Sequence, residues 1–210
     1  MTYLNRRNML LAGGVGGTAA LLGMTLIPPA RQLEAQELTV EDVLFDPDNP
    51  VLGNPQGSVT IVEFFDYQCP YCKANHPVLT EVVEEDGDVR LVLKDWPIFG
   101  APSVRATQLA LGAVDVGGYE LALETLMATE GRLSDAAIEE ALEEAGLDPT
   151  ELDAAYRANR GKWDGLLSRN SFQATQLGLR GTPAFIIGAS IYPGSMDREA
   201  LREAIEASRT

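Results

Sequence analysis

Cys69 and Cys72, separated by Pro70-Tyr71, are the only cysteines of the chain and its best candidates for covalent chemistry. A pair at this spacing could close a structural disulfide, hold a metal, or exchange disulfides with another molecule. As a crosslink it would do little, because so short a loop barely restrains the unfolded chain. Zinc asks for four ligands, and His76 is the one further soft donor. A low-coordinate copper(I) site on two thiolates needs no more ligands and stays open as an alternative. The flanking sequence favours exchange. The run Val59 to Phe65 (VTIVEFF) has the β-branched and aromatic make-up of a buried strand, and a helical pattern begins at Lys73. A cysteine between the two sits at a helix N-terminus, where unpaired backbone N–H groups and the macrodipole stabilise an anion. Thiol pKa values in such motifs fall to roughly 3.5–7.5. Cys69 is therefore read as the nucleophile and Cys72 as the resolving thiol, with Pro70 in the first helical turn where no donor is lost.

The elements that must position this pair can be traced along the chain. After the first strand, Lys73 to Glu85 reads as a helix interrupted by Pro77, and Val89 to Leu93 as a second strand. That is one βαβ unit with a parallel pair. Residues 102–178 are helical throughout. Tyr119, Ala122, Leu123, Leu126 and Met127 form one apolar face, and Ala137, Ile138, Ala141, Leu142 and Ala145 another. Ser134 is the expected N-cap of the second, and Asp148-Pro149-Thr150-Glu151 reads as a capping box with proline at the first helical position. A further stripe of Trp163, Leu166, Leu167, Ala174 and Leu177 ends at Gly178. Sheet pattern then returns with Ala184 to Ile187, a hairpin over Gly188 to Pro193, and a closing helix from Asp197 to Ala207. The expected organisation is a β/α domain over 58–101 and 179–210, split by an all-helical insertion over 102–178. Residues 36–57, rich in proline and glycine, are read as a linker with one short edge strand.

Composition narrows the function. The 210-residue chain carries a net charge of −15, which repels phosphate backbones and makes nucleic acid a poor partner. With 45% hydrophobic residues it has enough apolar material for a full core, so the two cysteines are not holding up a small scaffold. Residues 1–35 read as an export signal: Arg6-Arg7 precede a run without charged side chains from Met9 to Ile27, and Pro28-Pro29 follow. The arginine pair and the glycines of the run resemble a bacterial twin-arginine signal, although Asn5, Met9 and Leu11 depart from the usual residues around the pair. An uncleaved membrane anchor is the alternative. Both readings put the remainder outside the cytoplasm.

The run Glu63-Phe64-Phe65-Asp66-Tyr67-Gln68-Cys69-Pro70-Tyr71-Cys72, followed by Gly181-Thr182-Pro183-Ala184-Phe185, resembles the DsbA-like periplasmic thiol–disulfide oxidoreductases from about Val59 onward. The resemblance implies a thioredoxin-like α/β fold with an inserted all-helical domain, no cofactor or metal, cysteine-containing exported proteins as substrates, and a membrane redox partner that resets the dithiol. It implies that Pro183 is a cis-proline beside the sulfurs, that Thr182 tunes them, and that Pro70, Tyr71, Thr182 and Pro183 face the substrate. It also implies that Glu63, a lone acid in an apolar strand, is buried and exchanges a proton with Cys72. Lys94 is its expected partner if the two strands are neighbours. His76 is expected to pack or lie in solvent, and Trp96 and Trp163 to join the core. Disulfide formation is the expected direction of electron flow, with reduction or isomerisation through the same sulfurs as the alternative.

Overall fold

The computed structural model describes residues 38–209, so the export signal expected over residues 1–35 lies outside the described residues. The described chain runs α1 (Val40–Leu44), β1 (Val51–Gly53), β2 (Val59–Phe65), α2 (Pro70–Asp86), β3 (Val89–Asp95), α3 (Ala101–Asp115), α4 (Tyr119–Ala128), α5 (Asp135–Glu144), α6 (Pro149–Ala158), α7 (Arg160–Gln176), β4 (Ala184–Ile187), β5 (Ser190–Pro193) and α8 (Arg198–Ser208). The strands form one sheet in the order β1-β3-β2-β4-β5. β2 and β3 are parallel, as a βαβ unit requires, and every other pairing is antiparallel.

The central strands are buried on both faces, which explains their nearly continuous apolar composition. Alternate residues serve two cores. Ile61, Phe65, Leu91, Leu93, Phe185 and Ile187 pack with α2, α4 and α8, whereas Val62, Phe64, Val92, Ala184 and Ile186 pack with Val43 and Ala174. The helical stripe from Tyr119 to Met127 is buried in full, and Ile138 and Leu142 are the buried part of the α5 stripe. Ser134 and Asp148 cap α5 and α6 by accepting from Ala137 N and Thr150 N. Gly112 lets α3 and α6 touch backbone to backbone, because a Cβ there would overlap the Leu152 carbonyl.

Three features differ from the sequence expectation. The 36–57 segment has the short edge strand expected of it, β1, which pairs with β3, but it is no free linker: it also carries α1, opened by a reciprocal Thr39–Asp42 capping box. It is held down by Arg169, which donates to Asp46 and Asp48, and by Gln173 Nε2, which donates to Asp42 O. The stretch expected to be helical is so from α3 to α7, and Ala174 of α7 sits in the core beside Val62 and Phe64. Pro77 does not interrupt α2. Its ring lies on the exposed face, while Asn75, His76, Leu79, Val82 and Val83 are buried on the other side, and that packing carries the helix through the missing donor. Finally, Trp163 is fully buried, with Nε1 donating to Asp115 Oδ2 at 2.9 Å, but Trp96 is only half-buried, edge-on to Phe64.

Candidate active site

β2 ends at Phe65, and the chain turns through Asp66 to Gln68 before α2 begins. Asp66 builds that turn. Its Oδ1 accepts from Gln68 N at 2.7 Å, and its Oδ2 accepts from Ile98 N at 2.6 Å and Phe99 N at 3.1 Å. One buried carboxylate thus joins the segment before the dithiol to the segment after β3. The sequence reading missed Asp66; the signal available was an aspartate at a strand end, a residue type that bonds backbone N–H groups two positions on.

Cys69 is the N-cap of α2 and Pro70 its first residue. Both cysteines are free thiols and both are buried. Cys69 Sγ lies 3.2 Å from Thr182 O, and the Thr182–Pro183 peptide bond is cis. The hydrogen bond from Cys72 holds the Cys69 thiol down at about 6, against burial that opposes it, with help from Thr182 and from the Cys72 and Tyr71 backbone N–H groups. Cys72 moves the other way. Burial pushes its thiol far up, and the hydrogen bond it gives to Cys69 and the charge of Glu63 add to that. Two chemically identical thiols are therefore separated into one that ionises near neutrality and one that keeps its proton.

Glu63 sits in the middle of β2, fully buried, and neither carboxylate oxygen has a hydrogen-bond partner among the described residues. Burial first, and then the charge on Cys69, push it up to about 8. Lys94 is not its partner. The strands are neighbours, but Glu63 pairs with Leu93 and Phe64 pairs with Lys94, so the two side chains leave opposite faces of the sheet. Lys94 lies instead in the other core, over the Phe64 ring at 5.9 Å, and burial pulls it down to about 8 against the charge of Asp46. With the Asn49 amide turned so that its oxygen faces the ammonium, that oxygen accepts from Lys94 Nζ at 2.9 Å.

A further buried acid, Asp95, went unread in the sequence. It pairs with Phe65 and so shares the Glu63 face, and burial pushes it up to about 8 as well. Asn170 Nδ2 donates to its backbone oxygen. Tyr67 and Tyr119 feel both acids, and burial raises each phenol well above its ordinary value.

The other expected residues are found around this centre. Pro70 and Tyr71 are exposed, Tyr71 at 68%. Pro183 and Thr182 help line an open groove with Leu179, Arg180, Ile191 and Pro193. His76, expected to pack or lie in solvent, is buried, with Nε2 2.8 Å from Glu124 Oε1, and thereby links α2 to α4.

This arrangement, a strand, a cysteine-capped helix and a cis-proline loop converging on two unequal thiols, is that of a thioredoxin-type redox site. Residues 46–207 match the thioredoxin family, to which the chain belongs. Within that family it is DsbA-like. It is 30% identical over 175 residues to the thiol:disulfide interchange protein DsbA of Bordetella parapertussis, covering 81% of this chain and 80% of the relative. A thioredoxin-like oxidoreductase from Silicibacter pomeroyi DSS-3 superposes with a TM-score of 0.78 at 35% identity, covering 82% of this chain and 98% of that one. The chain also matches the Na(+)/H(+) antiporter NhaA 1 of Salinispora arenicola at 27% identity over 87% of its own length, but spans only 29% of that relative.

Proposed function

We propose that the protein forms disulfides in exported, cysteine-containing proteins through Cys69 and Cys72. The observation that carries this reading is the placement of the two thiols, Cys69 at the N-cap of α2 with Sγ 3.2 Å from the carbonyl oxygen that precedes cis-Pro183, and Cys72 buried within the first turn of the same helix. In the oxidised protein a substrate thiolate attacks Cys69 Sγ, the Cys69–Cys72 bond breaks, and Cys72 leaves as a thiolate that takes a proton from Glu63. A second substrate thiolate then attacks the substrate sulfur of the mixed disulfide. The substrate disulfide forms and Cys69 leaves as the stabilised thiolate, so the protein gains the two electrons the substrate loses. Thr182 and Pro183 offer backbone to an extended substrate segment, with Pro70 and Tyr71 at its edge. A membrane redox partner takes the electrons back.

A low-pKa leaving thiol favours release of the oxidised substrate and supports this direction over reduction or isomerisation. Among the described residues no helix is long and apolar enough to cross a membrane, and the export reading rests on the Arg6-Arg7 segment. The deciding experiment uses the purified chain without added metal. Cys72→Ser should accumulate mixed disulfides through Cys69, and Cys69→Ser should abolish turnover of a reduced protein substrate. If Cys72→Ser traps nothing while the native protein binds copper(I) tightly, the two sulfurs serve a metal and the reading fails.

A further inference from the structure

The loop between α4 and α5, residues 129–133, is fastened to the chain on both sides of the dithiol. Leu133 N donates to Gln68 Oε1 at 3.2 Å. Lys73 Nζ donates to Thr129 O and to Thr129 Oγ1, each at 2.8 Å. Gln68 immediately precedes Cys69, and Lys73 immediately follows Cys72. The tethers therefore bracket the reactive segment, one at each end. The far arm of the Gln68 amide is used too, since Nε2 donates to Phe99 O at 2.9 Å, so this side chain spans two loops from different parts of the fold.

The middle of the loop does not need such fixing for the sake of the core. Glu130, Gly131 and Arg132 are exposed, and Gly131 turns the chain at φ +68°. Leu133, at the loop's end, already anchors it by burial. Lys73 is half-buried and gives its ammonium to a carbonyl and a hydroxyl, an arrangement that defines a direction rather than neutralising a charge. What the two tethers fix is the position of the loop relative to the sulfurs.

We propose that residues 129–133 form a wall of the cleft in which a polypeptide substrate lies, and that Gln68 and Lys73 are positioning residues that hold this wall beside Cys69. The occupant is the extended segment flanking the substrate cysteine, which a polypeptide disulfide must carry past the loop to bring its sulfur to Cys69. A small disulfide carries too few atoms beyond its sulfurs to use the wall. The inference rests on the disulfide-exchange reading above, and its test separates the two.

Exchange rates are measured on the full chain with glutathione disulfide and with a peptide mixed disulfide of about ten residues. Gln68→Ala and Lys73→Met should each lower the ratio of peptide to glutathione rates about five- to tenfold, the scale of one lost hydrogen-bond tether, through KM rather than kcat. Lys73→Arg keeps a donor and should restore the ratio. Arg132→Ala removes exposed wall surface without touching either tether, and should also lower the ratio even if the tether variants fold poorly. An unchanged ratio in Arg132→Ala and in the tether variants overturns the proposal, as does an equal fall with both substrates. Loss of all exchange in the native protein instead overturns the underlying reading, because glutathione disulfide alone reports on it.

Discussion

Replacing Glu63 by Gln tests the buried acid in two ways at once. The substitution keeps shape and a polar head group but removes the titrating proton. In the unfolded chain the carboxyl has its usual 4.5, and in the fold burial pushes it up to about 8. A carboxyl whose folded value is raised favours the native state least where the unfolded chain would ionise it. Stability is therefore unaffected below 4.5, falls as pH climbs toward about 8, and levels off beyond. Holding the proton at pH 7 against an unfolded value of 4.5 costs about 3 kcal/mol, at about 1.36 kcal/mol per pH unit. Glu63→Gln should thus raise the melting temperature by about 5–10 °C at pH 7, while at pH 4 the two proteins should melt together. The same variant should slow disulfide exchange about 10- to 100-fold, the lower range for a positioned acid–base group. Thermal melts at both pH values and stopped-flow exchange measure the two effects. Equal melting shifts at pH 4 and pH 7 would refute the burial argument. An unchanged exchange rate would refute the proton-transfer role.

Two further outcomes follow from the thiols and from the N-terminal sequence. Alkylation of the reduced protein should report a midpoint near pH 6 for Cys69, and the reduction potential should lose about 59 mV per pH unit below that midpoint and about 30 mV above it; a single slope up to pH 8 would place the Cys69 pKa elsewhere. Changing Arg6 and Arg7 to Lys should stop accumulation of the protein outside the cytoplasm, as read by cell fractionation, and normal accumulation would reject the twin-arginine route.

The strands were legible because their composition admits few other structures. Val59 to Phe65 is observed with those bounds, as is Ala184 to Ile187, and the helix starts at Ser134 and Asp148 follow from capping side chains that local sequence makes visible. The dithiol was legible for a related reason: strand, cysteine and helix are contiguous, so the chemistry is local. Residues 36–57 were not. Beyond the short edge strand, their five-residue helix and the turn after it are held by Gln173 and Arg169, more than a hundred positions away, and no window of sequence contains that information. The local turn that Asp66 makes with Gln68 N was within reach of the sequence, but the distant partners of Asp66 and Gln68, at Ile98, Phe99 and Leu133, were not.

The error over Lys94 has a different origin and a sharper lesson. Its strand was identified, the strands are neighbours, and a buried acid facing a buried base is an attractive pair. Parity forbids it. In parallel strands whose register sets Glu63 against Leu93, side chains on the Glu63 face have the parity of Leu93, and Lys94 must point into the other core. The same rule places Asp95 on the Glu63 face, at the strand end nearer the dithiol turn. Two acids, each pushed up to about 8, therefore share one apolar core with the sulfurs and with Tyr67 and Tyr119, while the one buried ammonium nearby lies on the far side of the sheet. A lysine on the Glu63 face would stabilise the carboxylate and draw its pKa back toward the ordinary range. With Lys94 on the opposite face, desolvation dominates instead and leaves Glu63 protonated near neutrality, the state in which it can hand a proton to the departing Cys72.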